Sequence, residues 1–411
     1  MNSTAPKHAN PTTFNAVNNQ LLIGDTPLTQ LALRVGQTPF YAYDRQALTQ
    51  RVHRLRQAMP ADLKIHYAMK ANPMPAVVQH MATLVDGFDL ASAGEMKVAL
   101  DTPMPVENIS FAGPGKRPQE LSQAIAAGVT LNIESAHELE SIAKQCEYIG
   151  LNAKVAVRIN PAFELKASGM KMGGGAKQFG IDEEQVPAVL QRIKALGLLF
   201  QGFHIYSGSQ NLKAESIIEA QQKSLQLAAC LSEHSPSPIR KLNIGGGFGI
   251  PYFPGDLPLA IDQVGEALAS AMALTRQSLP EAEIIIELGR YLVGEAGIYV
   301  TRVIDKKVSR GQTFLISDGG LHHHLAASGN FGQVIRKNYP IAIGNKMGCE
   351  DLEIVNIVGP LCTPLDILAD KMTLPKAEVG DFVVIYQSGA YGYTASPSKF
   401  LSQPDALEVL V

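Results

Sequence analysis

Between about residue 60 and residue 292 the sequence alternates short apolar runs with segments of helical periodicity, and this constrains the fold more than any other feature. The runs are KIHYAMK, GFDLAS, NISFAG, TLNIES, KVAVRIN, FQGFHIYSG, KLNIGGG and EIIIELGR, which makes eight strand candidates. Between them, segments such as MPAVVQHMATLV, PQELSQAIAAG, AHELESIAKQC and AESIIEAQQKSLQLAACLSEH space apolar residues at three and four. Continuous apolar strands alternating with amphipathic helices imply a parallel sheet covered by helices. Eight such units over this length predict a (β/α)8 TIM barrel, whose site forms at the C-terminal strand ends. The polar and glycine-rich residues fall at those ends: Lys70, Asp89, Arg158, Tyr206 to Ser209, Gly245 to Gly247, Glu287 and Arg290.

Beyond residue 292 the pattern changes. VTRVIDKKVSRGQTFLISDGG, LEIVNIVGPLC, DFVVIYQSGAY and LEVLV read as strands joined by turns. The early stretch LLIGDTPLTQLALRVGQTPFYAYD also has strand character before its first helix. The expected organisation is an N-terminal segment over 1–37, partly disordered, whose strand completes a β-domain; a barrel over 38–292; and an all-β domain over 293–411.

At 411 residues, 46% apolar and 18% charged, the chain reads as a globular protein large enough for two domains. A formal net charge of −3 and the lack of any basic run give no sign of a nucleic-acid partner. No apolar stretch approaches the roughly 18 residues that would span a bilayer. The N-terminus MNSTAPKHANPTTFNAVNNQ has no apolar core of a signal peptide and reads as a disordered lead-in. Cys146, Cys230, Cys349 and Cys362 have neither metal-type spacing nor a disulfide pattern, so a reducing cytoplasm is the expected setting.

The segment IHYAMKANPMP ends a short apolar strand on Lys70. A lysine there either points to water from the rim, finds a counter-charge, or does chemistry as a neutral amine that attacks an aldehyde. Gly245 to Gly247 end the seventh strand, where barrels commonly bind phosphate, and glycines let backbone N–H groups approach its oxygens. A plain tight turn explains such a run equally well, but Ser209 after the sixth strand and Arg290 after the eighth could add donors to the same phosphate. Glu287 either pairs with Arg290 or holds a protonated ring nitrogen. A lysine imine, a phosphate cradle and a carboxylate partner together describe pyridoxal 5′-phosphate, whose pyridinium ring is an electron sink.

YAMKAN, FDLASAGE, GFHIYSGSQ, LNIGGGFG, ELGR, GPLCTPLD and SGAYGYTASPSKF resemble, in order, the blocks of the fold-type III pyridoxal-phosphate decarboxylases, which act on diaminopimelate, ornithine and arginine. The resemblance runs from about residue 38 to the C-terminus. It implies an alanine racemase-like barrel, a β-domain, and a homodimer with active sites shared at the interface. It also implies that Lys70 bonds the cofactor and that Glu287 pairs with its ring nitrogen. Gly245, Gly246, Gly247, Ser209, Arg290 and Tyr391 would hold the phosphate, and Asp89 and Arg158 would line the ring. Cys362 of the partner subunit would donate a proton after carbon dioxide leaves.

The departures carry equal weight. Tyr206 stands where most relatives stack a histidine on the ring, and His204 lies one step earlier on the same strand face. After Cys362, relatives place an acidic residue that grips a distal ammonium; this chain reads Cys362-Thr363-Pro364-Leu365-Asp366. Arg336, in VIRKNYP, resembles an arginine that other relatives use for a distal carboxylate, although a surface arginine explains it as simply. Asp318, Thr363, Asp366, His204 and Arg336 are therefore the candidate substrate residues. KMGGGAKQFG, DGGLHHHLAASGNFGQ and GPLCTP resemble a narrower branch, with the decarboxylase of a glutamyl thioester on an acyl carrier protein in butirosin biosynthesis and decarboxylases of exopolysaccharide and exosortase systems. His322 to His324 do not indicate a metal, because adjacent side chains on a strand alternate faces; a substrate-pocket or dimer-interface role is expected instead.

The leading reading is a carboxy-lyase removing the α-carboxylate of an amino acid, or of an aminoacyl group presented by a carrier protein. A decarboxylase of free diaminopimelate or ornithine is the alternative. An amino-acid racemase would hold the ring nitrogen with arginine, against Glu287. A pyridoxal-phosphate homeostasis protein would be a single barrel, against the C-terminal third.

Overall fold

The computed structural model describes residues 7–9, 13–164, 170–171, 173–333 and 335–411. Of the lead-in expected to be disordered, residues 1–6 and 10–12 lie outside the described residues, as does Met172 of the KMGGGAKQFG block, whereas Phe14 packs in the hydrophobic core and Ala16–Val17 forms a strand paired with Gln20 and Leu21. The chain divides into two compact units, one of Arg51–Ile250 with Leu259–Tyr291, the other of Met1–Gln50, Pro251–Pro258 and Leu292–Val411.

In the first unit, parallel strands run Lys64–Ala68, Gly87–Leu90, Ile109–Phe111, Thr130–Ile133, Lys154–Asn160, Leu199–Ile205, Lys241–Gly246 and Glu283–Leu288. Each pairs with the next, and the last pairs with the first through Leu288 opposite Tyr67, so the sheet closes into a barrel. All eight anticipated apolar runs are strands of this barrel. The helices between them begin on local signals. Ser92 and Ser135 cap two of them by accepting the N–H of Glu95 and Glu138, three residues on. Apolar outward residues such as Ile65, Phe88, Leu131 and Val157 are buried beneath the helices. The inward positions are more polar than a packed barrel core: His66, Asp89, Asn132, Arg158, His204, Asn243 and Glu287 are all buried.

The second unit holds a sheet ordered Ile341–Ile343, Phe382–Ile385, Gly297–Ser309, Gln312–Ser317, Leu352–Val358 and Ile367–Pro375. Phe40–Tyr43 pairs antiparallel with Gly297–Ser309, and Leu407–Leu410 pairs parallel with Phe40–Tyr43. An early strand thus completes the β-domain. It lies within 38–292, the stretch expected to be barrel, because its backbone partners are Gly297 to Val300 and residues 407 to 410. The rest of the early stretch is not all strand. Gln20–Ile23 and Thr26–Pro27 belong to a small three-stranded sheet, and Leu28–Val35 is a helix stopped by Gly36 in the left-handed conformation. Leu28, Leu31 and Ala32 of that helix pack with Phe40, Ile298, Val300 and Val384 in the core of this unit. Ile367–Pro375 escaped the sequence reading because Asp370, Lys371 and Thr373 interrupt its apolar pattern. Among the described residues no helix is long and apolar enough to cross a membrane.

Candidate active site

The barrel places a set of charged side chains at the C-terminal ends of its strands. Lys70 stands not in the first strand but on the 3-10 turn Met69–Ala71 that follows it, with its side chain 40% exposed. Of the roles open to it, the counter-charge is present: Nζ lies 3.6 Å from Oε1 of Glu287. It also lies 5.4 Å from the centre of the Tyr206 ring.

Glu287 is buried at the end of the eighth strand. Its second oxygen, Oε2, accepts from Nε2 of His204 at 2.9 Å and from Nδ2 of Asn243 at 3.4 Å. Burial by itself raises a carboxyl pKa. Here the neighbouring Lys70 charge and the His204 hydrogen bond outweigh it and hold Glu287 well below the usual carboxylate range, so it is ionised. His204, expected near the substrate, is itself buried and turned onto this carboxylate.

Asn243 also accepts the N–H of Gly245 at 2.9 Å, tying the carboxylate to the glycine run. Gly245 and Gly247 have φ of 72° and 73°. A Cβ on Gly245 would meet the Ile205 carbonyl and the Tyr206 ring, and one on Gly247 would meet the Gly208 carbonyl. Gly246 lies opposite Glu287 in the sheet, and a Cβ there would meet the Glu287 carbonyl. Nearby in sequence, the Ser209 hydroxyl is buried with no hydrogen-bond partner among the described residues. Arg290 opens the short helix Arg290–Val293 directly after the eighth strand.

Arg158 donates from Nη1 to Oε1 of Glu134 at 2.7 Å and lies 4.9 Å from the Phe179 ring centre. Glu134 also accepts from the Gly113 and Gly180 N–H groups. Burial opposes its ionisation, but Arg158 and Lys116 prevail and its pKa is lowered. Sequence reading missed Glu134, although its place at the end of TLNIES carried the same signal as Glu287. Lys116 and Glu138 form a further buried pair at 2.7 Å. Asp89 accepts from the Ser110 hydroxyl and lies 3.5 Å from Nδ1 of His66. Its partners are thus barrel side chains.

The remaining candidates belong to the β unit. Cys362 is an exposed thiol and Tyr391 is half-buried. The Thr363 hydroxyl accepts the Leu365 N–H at 3.3 Å within its own loop. Asp366 is 2% exposed and accepts the N–H groups of Leu321 at 2.6 Å and Leu361 at 2.9 Å, one on each oxygen. Asp318 accepts from Thr38, Thr301 and the Arg302 N–H. Arg336 donates to the carbonyls of Ser328 and Ile367 and to the Asn338 side chain. Asp318, Asp366 and Arg336, expected at the substrate, are therefore engaged as braces of the β unit.

His322 and His323 lie in a turn and His324 directly follows it; none of the three is on a strand, and all three are buried. Nε2 of His323 meets the Pro404 carbonyl, and Nε2 of His324 meets the Ser388 hydroxyl. Burial depresses His322 to about 4 and His324 to about 3, keeping both neutral. Among the described residues no group of three or more His, Cys, Asp or Glu could hold a metal ion.

The barrel unit offers an amine, an ionised carboxylate facing it, an orphaned hydroxyl and a glycine cradle that excludes side chains. This donor set fits pyridoxal phosphate: an aldehyde for Lys70, a ring nitrogen for Glu287, and a phosphate for Ser209 and the glycines.

Comparison with known proteins agrees. The family described as pyridoxal-dependent decarboxylase, pyridoxal binding domain, matches residues 45–294. The L-glutamyl-[BtrI acyl-carrier protein] decarboxylase of Niallia circulans is 38% identical over 91% of this chain and 89% of its own. The 2-[(L-alanin-3-ylcarbamoyl)methyl]-2-hydroxybutanedioate decarboxylase of Staphylococcus aureus is 30% identical over 89% and 92%. Among solved structures, diaminopimelate decarboxylase from Helicobacter pylori complexed with L-lysine superposes with a TM-score of 0.81 at 29% identity, covering 93% of this chain and 94% of that one.

Proposed function

We propose a substrate class and residue roles for this chain, which belongs to the pyridoxal-dependent decarboxylase family and is a carboxy-lyase using pyridoxal phosphate. The proposed substrate is an α-amino acid group whose far end is neutral or anionic, foremost a glutamyl group held as a thioester on an acyl carrier protein.

One observation carries this reading. Thr363 is uncharged where diamino-acid enzymes resemble one another in placing an acid, and both carboxylates that could substitute for it, Asp318 and Asp366, are engaged by backbone and hydroxyl donors. Pulling Asp366 out to meet an ammonium would strand two buried N–H groups, at about 1–3 kcal/mol each, and moving Asp318 would break its bonds to the Thr38 and Thr301 hydroxyls and the Arg302 N–H. The similarity to a glutamyl-carrier decarboxylase supports the same class.

Bound at the barrel mouth, the cofactor supplies an electron sink for the pair left when the α-carboxylate departs as carbon dioxide. Lys70 is the amine that bonds it. Ser209, Gly245, Gly246, Gly247 and Arg290 hold its phosphate, and Glu287 keeps a proton on its ring nitrogen. Tyr206, whose ring centre lies 5.4 Å from Nζ of Lys70, would face the ring, while Asp89 and Arg158, each anchored by a barrel partner, would line its surroundings. The roles of Tyr391, on the phosphate, and of Cys362, whose Sγ gives a proton to the α-carbon from the partner subunit of a homodimer, rest on the resemblance alone. A cytoplasmic location accords with this chemistry.

The test is carbon dioxide release across a panel of meso-diaminopimelate, ornithine, lysine, glutamate and a glutamyl-carrier thioester. The thioester is expected to lead the panel, and the diamino acids to trail it by a factor on the order of 10² or more. Efficient turnover of a free diamino acid would overturn the substrate class while leaving the family assignment intact.

A further inference from the structure

The Glu287 carboxylate is divided between two kinds of neighbour. Oε2 is held from inside the barrel by Nε2 of His204 at 2.9 Å, with Asn243 at 3.4 Å, whereas Oε1 faces Lys70 at 3.6 Å. An ionised carboxylate only accepts hydrogen bonds, so Nε2 is the nitrogen of His204 that carries the hydrogen. Both side chains are buried, at 2% and 4% exposure, so no water competes for this bond. The two residues come from strands that are not adjacent, with Lys241–Gly246 between them. Without the bond, Glu287 could turn about its last torsion, which is broad and roughly two-fold for a carboxylate.

We propose that His204 is a positioning residue, clamping Oε2 so that Oε1 alone is presented to the ring nitrogen of the cofactor. The proposal rests on the cofactor reading above and assigns His204 a role through Glu287 instead of contact with substrate. Asn243 extends the clamp, because the same side chain accepts the Gly245 N–H and so sets the carboxylate in register with the glycine run. Positioning of this kind matters most for a group that must hold a proton at one fixed atom.

The test is equilibrium binding to apo-protein of two ligands: pyridoxal phosphate, and its carbocyclic analogue in which C–H replaces the ring nitrogen. Wild type is compared with His204→Gln, whose amide N–H can reach Oε2; His204→Asn, whose amide is too short; and His204→Leu. The Asn and Leu variants are expected to weaken pyridoxal phosphate by about tenfold or more, the worth of a hydrogen bond to a charged group. They should leave the analogue unchanged, and Gln should restore most of the loss. The visible absorption of the bound cofactor should shift in Asn and Leu and return in Gln. Equal weakening of both ligands, or no weakening of either, would overturn the positioning role; Asn alone decides the matter if Leu does not fold. Failure of wild type to bind pyridoxal phosphate is a separate outcome that overturns the cofactor reading, and this role with it.

Discussion

In the barrel unit the polar side chains are paired with one another: buried Glu287 with buried His204 and with the partly exposed Lys70, Arg158 with Glu134, Lys116 with Glu138. In the β unit the candidate substrate groups are held by backbone and hydroxyls instead: buried Asp366 by the N–H groups of Leu321 and Leu361, half-buried Asp318 by the Arg302 N–H and the Thr38 and Thr301 hydroxyls, and half-buried Arg336 by the Ser328 and Ile367 carbonyls. The contrast separates chemistry from bracing. A side chain paired with a side chain can exchange its partner for a ligand group of the same charge. A carboxylate holding two amides cannot let go without leaving both unsatisfied in a dry interior. Equivalent residue types thus have different functions in the two units, set by what they are bonded to.

The largest expected effects break the barrel side of this comparison. Lys70→Ala should abolish borohydride trapping of the cofactor and all turnover, while Glu287→Gln should lower kcat by on the order of 10²–10⁴-fold. Mixing Lys70→Ala with Cys362→Ala protein should recover part of the activity through hybrid dimers. Trapping on another lysine would displace Lys70 from its role.

Next, Asp366→Ala should lower the unfolding free energy by about 2–4 kcal/mol, since two buried N–H groups lose their acceptor. Turnover per folded molecule should stay the same. A fall in turnover without a fall in stability would return Asp366 to the substrate site.

The smallest effect concerns acid. His324 has its pKa depressed from an ordinary value near 6.5 to about 3, so the unfolded chain binds the proton more readily than the folded one. The stability from keeping it neutral is complete above about pH 6.5 and is lost progressively as pH falls towards 3, with about 2 kcal/mol gone by pH 5. His324→Gln should be less acid-sensitive over that window in chemical denaturation. An unchanged slope would mean that His324 is not the group that titrates.

The sequence by itself determined the barrel strands, the positions of Lys70, Glu287 and the glycines at their ends, and the cofactor they suit. These are legible because strand and helix periodicity is local, and because a barrel of parallel strands puts every strand's C-terminal end on one face. Only the tertiary structure decided which partner each buried group takes. His204 and Glu287 lie 83 residues apart, and Asp318 and Thr38 lie 280 apart. The pairing of Phe40–Tyr43 with Gly297–Ser309 moved an early strand out of the expected barrel stretch, and a turn at His322 and His323 replaced an expected strand. Asp366 and Glu287 look alike in the sequence as carboxylates close to glycine- or proline-containing turns, and no pattern of neighbours distinguishes them. A hydrogen bond depends on atoms brought within about 3 Å by strand register and loop closure. That distance is fixed by the folded chain as a whole.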